Sequence, residues 1–128
     1  MTILIQVSPG ELIDKMTILE VKLDHMSDPA KLANVHREHD MITQTFRENI
    51  ADTPALAKLI ADLKATNMAL WTIEDLIRDH EREGNFGESF VELARAIYRI
   101  NDERAALKRR INVLLDSDIV EEKSYSHY

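Results

Sequence analysis

Along four stretches of the chain the apolar residues recur in steps of four and three, the spacing that gathers them on one face of an α-helix. The last stretch is the clearest, with Phe86, Phe90, Leu93, Ile97, Ile100, Leu107, Ile111 and Leu114 in one seam. Before it, Leu12, Met16, Leu19, Leu23 and Met26 mark a first helix. Leu32, Val35, Ile42 and Phe46 mark a second, and Leu56, Ile60, Leu63, Leu70 and Ile77 a third. Start and stop signals bound these patterns. Ser8, Pro9, Gly10 and Glu11 read as a capping box: the serine accepts from an early amide, proline takes the first helical position and Glu11 reaches back. Ser27, Asp28 and Pro29 end the first helix and cap the second, Thr53 and Pro54 open the third, and Gly84 is placed as a left-handed stop. Helices are therefore expected over about residues 9–26, 30–51, 54–83 and 87–115 of a single domain. With turns of only a few residues between them, the expected fold is all-α, an antiparallel up-down four-helix bundle.

Two segments lie outside this pattern. Thr2 to Val7 is an apolar run rich in β-branched residues and is expected to be a short extended segment. After Leu115 the periodicity breaks, and IVEEKSYSHY is expected to be an ordered arm packed on the bundle or on a partner. In an up-down bundle these two segments meet at one end, where they could pair as two strands. An exposed strand edge is also a template for a second copy, so a homodimer is expected.

The seams are interrupted at a few positions. Arg104 stands where the fourth helix should bury a leucine, His39 interrupts the second helix, and Asn67 and Glu74 fill the skipped positions of the third. Counting residues away from each turn puts Asn67 level with Arg104, and also with Glu38 and His39. Thr17 and Glu20 come to about the same height, to within one helical turn, roughly 5 Å. A buried charge without a partner costs several kcal/mol, so Arg104 should pair with a carboxylate, for which Glu20 and Glu38 are the candidates, or snorkel to water. Such a layer is either architecture that fixes helix register, or a core pocket in which Arg104 clamps an anion and His39 transfers a proton.

Composition narrows the functional classes. About 45% of the 128 residues are apolar and 30% charged, with three Gly and three Pro, a helical composition with few turns. A net charge of −7 argues against a sequence-independent grip on nucleic acid. The absence of cysteine removes disulfides, thiolate catalysis and thiolate metal sites. No stretch approaches a membrane span and the opening residues lack a basic leader, so a cytoplasmic location is expected. The one basic concentration is the fourth helix, where Lys108, Arg109 and Arg110 follow Arg95, Arg99 and Arg104. This is a solvated face neutralising acidic neighbours, or a phosphate or carboxylate site.

Other candidate chemistry is sparse. Glu74, Asp75 and Arg78 fit a helix salt bridge. Glu20 and Asp24 share a face, as carboxylates gripping magnesium would, and all-helical nucleotide pyrophosphohydrolases use acidic pairs in this way. The paired acidic motifs of those enzymes are not reproduced here. A chorismate-mutase-like helix has a passing likeness to ARAIYRINDERAALKRRI, but the first helix lacks the arginine such enzymes place there. The sequence names no cofactor either way, magnesium entering only under the pyrophosphohydrolase-like reading, and the histidines do not form a ligand pair for a metal. Trp71, Phe86, Phe90 and Tyr98 are expected to form an aromatic core near the last turn.

The blocks SPGELIDKMTILEVKLDHMSDPAKLANV, LWTIEDLIR, ELARAIYRINDERAALKRRIN and VEEKSY together resemble an uncharacterised bacterial family of small proteins, over nearly the whole chain. What the resemblance implies is an accessory role in cell-surface glycan assembly. The blocks also draw attention to Asp14, Lys15, Lys22, Asn34, Glu74, Asn101, Arg104, Glu121, Glu122 and Lys123. Two functions fit these observations. One is a non-enzymatic binding or accessory protein that recognises a protein partner or a small anionic ligand through the fourth helix and the tail. The other is a small enzyme for a phosphorylated or carboxylated metabolite, with Arg104 and either Lys108 or Arg95 on the anion, Asn67 among the ligand-binding residues, and Glu20, Glu38, His39 or Glu74 as acid, base or metal ligand.

Overall fold

A computed structural model describes all 128 residues, Met1–Tyr128. The four expected helices are present: α1 (Pro9–His25), α2 (Pro29–Asn49), α3 (Pro54–Glu83) and α4 (Glu88–Leu114). Their ends follow the local chemistry. Ser8, Asp28 and Thr53 each accept a hydrogen bond from an early amide of α1, α2 and α3 respectively, with proline just inside. Gly84 ends α3 in the left-handed region at φ 68°, a conformation that glycine adopts without a Cβ penalty. The capping box at Ser8 is only half formed. Ser8 Oγ accepts from the Glu11 amide at 3.1 Å, but the Glu11 carboxylate turns away to Lys108 on α4.

The packing is centred on α1. It lies against all three other helices, whereas α2 packs on α1 alone and α3 pairs with α4. The sequence of α1 explains its place. Ile13, Met16 and Leu19 are buried on one side, while Gly10, Asp14, Thr17 and Val21, again in steps of four and three, are buried on another. A helix apolar or small on two faces has to be surrounded. By contrast, α2 buries only Val35 and Phe46. Phe46 joins Ile13, Met16, Leu56, Leu59, Leu63, Leu107 and Ile111 in the core, flanked by the half-buried Ile42 and Ile50.

Two features fix the relative placement of the helices. The pairs Gly10–Asn112, Glu11–Lys108 and Asp14–Arg104 order α1 and α4 in opposite senses. Lys64 and Trp71, two turns apart on α3, both reach the last turn of α1, at Asp24 and His25, so α1 crosses α3 obliquely. The core is therefore confined to one half of the molecule. No residue between Asn67 and Leu107 is buried, and the far half of the α3–α4 hairpin projects beyond α1. The aromatic residues do not gather there into one core. Trp71 lies against His25, Phe86 packs edge-on against Phe90, and Tyr98 contacts Tyr128 of the C-terminal arm. The two terminal segments do not pair as strands either. The C-terminal arm is instead joined to the cap of α1, by a side-chain hydrogen bond from Ser8 to Glu121. No helix is long and apolar enough to cross a membrane.

Candidate functional site

Asp14 sits at the centre of a polar layer, its side chain only 2% exposed. Arg104 grips it in a bidentate fashion, with Nε 2.9 Å from Oδ1 and Nη2 2.5 Å from Oδ2. Asn67 Nδ2 donates to Asp14 Oδ1 and to Thr17 Oγ1, each at 3.0 Å, and the Thr17 hydroxyl donates to the Asp14 carbonyl. The layer is complete, since no buried side-chain polar atom in the chain lacks a partner. The hydrogen bond to Asp14 raises the Arg104 pKa above the usual arginine value, against the opposing effect of burial. One turn along α4, Lys108 is 15% exposed and sits between two carboxylates, Glu11 Oε2 at 2.6 Å and Glu121 Oε2 at 3.3 Å. Burial disfavours its charge, but the hydrogen bond and charge of Glu11, with Asp14 and Glu121 beyond, outweigh this and raise its pKa.

Glu121 belongs to the C-terminal arm, which folds back along α4. Its other oxygen, Oε1, accepts from Ser8 Oγ at 2.9 Å, so a single carboxylate bridges the N-cap of α1 and the ammonium of Lys108. Glu122 approaches Arg109 at 3.7 Å, and the Tyr128 hydroxyl donates to Asp102. Between α4 and this arm lies a cleft of about 370 Å³. Four basic side chains, Arg104, Lys108, Arg109 and Lys123, and three acidic ones, Asp116, Glu121 and Glu122, line it, along with Asn101 and Asn112. Gly10 makes the approach of α1 possible. Its amide donates to Asn112 Oδ1 at 2.7 Å, and a Cβ there would stand 2.6 Å from the Lys108 carbonyl.

Of the residues singled out by their positions in the seams, the structure brings Arg104, Asn67 and Lys108 together and separates the others. Asn67 and Arg104 do share a level, through Asp14. The partner of Arg104 is Asp14, neither Glu20 nor Glu38. Glu38 pairs with Lys15 at 3.0 Å on the surface between α1 and α2. Glu20 stands 3.8 Å from His39 and 3.7 Å from Lys64, and Lys64 also holds Asp24 at 3.5 Å. The carboxylate pair read as a magnesium grip is thus bridged by a lysine, and nowhere do three histidine or acidic side chains stand close enough to hold a metal ion. Glu74 forms an i, i+4 pair with Arg78, and Arg95 is exposed and enters no ion pair. The residues that seam reading did not place in the site are Asp14, Glu11, Ser8, Asn112 and Glu121. Asp14 and Glu121 stood out only in the family-like blocks, and Ser8 and Glu11 only as a cap; for Asp14 a further signal was the second stripe on α1, Gly10, Asp14, Thr17 and Val21, while Asn112 had none.

No curated protein and no solved structure matches the chain. The sequence profile of one family, DUF6165, described as a family of unknown function, matches residues 3–128. With residues 3–128 matched, nearly its whole length, the chain belongs to that family.

Proposed function

We propose that this is a non-enzymatic binding protein for a small ligand bearing a phosphate or carboxylate, taken up in the cleft between α4 and the C-terminal arm. The observation that carries this reading is the Glu121 carboxylate, which bridges Ser8 Oγ and Lys108 Nζ at the N-terminus of α1. An oxyanion already occupies that position, and it is tethered only by an arm whose residues 118–128 are all exposed. Helix N-terminal amides and an ammonium favour negative charge from any source. A ligand that displaces Glu121 and Glu122 exposes Lys108, Arg109 and Arg104 to itself. The candidate acids and bases Glu20, His39, Glu38 and Glu74 lie on other faces, which favours binding over chemistry. The resemblance-based expectation of a role in surface-glycan assembly makes nucleotide sugars and sugar phosphates the first ligands to test.

Thermal unfolding of wild type, Glu121→Gln and Lys108→Ala with inorganic phosphate, nucleotides, nucleotide sugars and carboxylates tests the reading. The expected result is a ligand-dependent rise in the wild-type midpoint, reached at lower ligand concentration in Glu121→Gln and absent in Lys108→Ala. If no ligand moves either the wild type or Glu121→Gln, the cleft is not an anion site.

A further inference from the structure

The segment before α1 is unlike any other part of the chain. Residues 2–7 carry no charge, form no helix or strand, and make no backbone hydrogen bond. Its large side chains lie open to solvent, with Ile3 72%, Leu4 93% and Ile5 77% exposed. An extended backbone through this run would set Ile3, Ile5 and Val7 on one face and Thr2, Leu4 and Gln6 on the other. The segment therefore has the pattern of an amphipathic strand without a neighbour. It leaves the bundle at Ser8 and Gly10, which are bonded to Glu121 and Asn112, and beside those residues Val113 and Val120 are also exposed.

We propose that residues 2–7 pair in antiparallel fashion with the same residues of a second copy of this chain, forming a two-stranded ribbon that lies over Val113 and Val120 of both copies. Three arguments select a second copy. An extended run with unpaired amides and carbonyls is completed by another strand edge, and an identical copy always supplies one. Antiparallel pairing of a segment with itself is isologous, as the interfaces of two-fold homodimers are. Because the segment is uncharged, the meeting of like with like brings no ionised side chains of this run together, even though each chain carries a net charge of −7. The area also suffices. An exposed Ile, Leu or Val side chain offers on the order of 100 Å² of apolar surface. Ile3, Ile5, Val7, Val113 and Val120, with the strand backbone, then come to about 600 Å² per partner, the lower end of the range for specific interfaces. An isolated hairpin is marginal in water, so the apolar end beneath it is needed to hold the ribbon.

The test is the molar mass of the full chain by light scattering during size exclusion, for wild type, Ile5→Pro and Ile5→Asp, with circular dichroism to follow the helices. Proline removes a ladder donor and aspartate buries a charge, and position 5 lies outside every helix, so the fold is retained. The proposal expects twice the chain mass for wild type, the single-chain mass for both variants, and unchanged helical signal in all three. A wild type that stays at the single-chain mass at micromolar concentrations overturns it, and leaves the segment to another protein's strand edge. A dimer that survives Ile5→Pro also overturns it, and moves the interface elsewhere, with the half-buried α3–α4 hairpin next to be tested.

Discussion

Replacing Arg104 by leucine restores an unbroken apolar seam on α4 and strands the carboxylate of Asp14. The second effect dominates, because a buried charge deprived of its partner costs about 3–5 kcal/mol while the added apolar contact is worth less. Arg104→Leu is therefore expected to lower unfolding free energy by about 3 kcal/mol, towards the low end because Arg104 remains 30% exposed. Asp14→Leu combined with Arg104→Leu should recover a large part of that loss, since neither charge is then left alone. Urea unfolding of both single variants and the double variant measures this, and losses that simply add would show that the two residues are not coupled. Arg104 was legible in the sequence because its charge violates the period of its own helix. Asp14 stood out only in the family-like block around it; its place as the partner of Arg104 was not legible, because the apolar seam of α1 does not say which helix packs on its second stripe.

Between elements, the decisive contact is the closeness of α1 to α4 at Gly10. A methyl group there meets the Lys108 carbonyl at 2.6 Å and Asn112 Oδ1 at 2.8 Å, and a backbone oxygen cannot rotate aside. Gly10→Ala is expected to push the start of α1 off α4, break the Gly10–Asn112 bond and cost about 1–3 kcal/mol, despite the better helix propensity of alanine. Thermal unfolding should show the loss, and an unchanged or higher midpoint would mean that α1 can retreat freely. Helix boundaries were legible to within one or two residues, since Ser8, Asp28, Thr53 and Gly84 act locally. Helix neighbours were legible only in part. Counting away from the α3–α4 turn placed Asn67 at the level of Arg104 because those helices pack as a hairpin. The same counting across residues 50–53 set Glu38 and His39 at the height of Asn67, but α2 packs on α1 and not on α3, so these two side chains reach Lys15 and Glu20 of α1 and not Asn67.

For the whole molecule, all the buried residues belong to the half that contains the polar layer. From residue 68 to residue 106 the α3–α4 hairpin has partly covered apolar side chains but none that is buried. Regions with few buried contacts open with lower free energy than the core. Amide hydrogen exchange is therefore expected to be faster in residues 72–100 than in the helical amides of residues 13–21, 59–67 and 107–112. Uniform protection along α3 and α4 would show that something covers the hairpin in solution. Periodicity alone could not reveal this asymmetry, because the seam of α4 continues past the end of α1 with no change in its pattern.

The Asp14–Arg104 pair spans 90 residues of sequence, and the Ser8–Glu121 bond spans 113. At synthesis rates of about 5–20 residues per second, Arg104 emerges on the order of ten seconds after Asp14. For that interval a nascent α1 can bury its apolar side only by leaving Asp14 in water or unpaired. The helix around which the molecule packs is thus the first to be made and the last to be satisfied. Formation of the core has to wait for α4, and in the meantime an incomplete chain offers its apolar stripes to whatever is near.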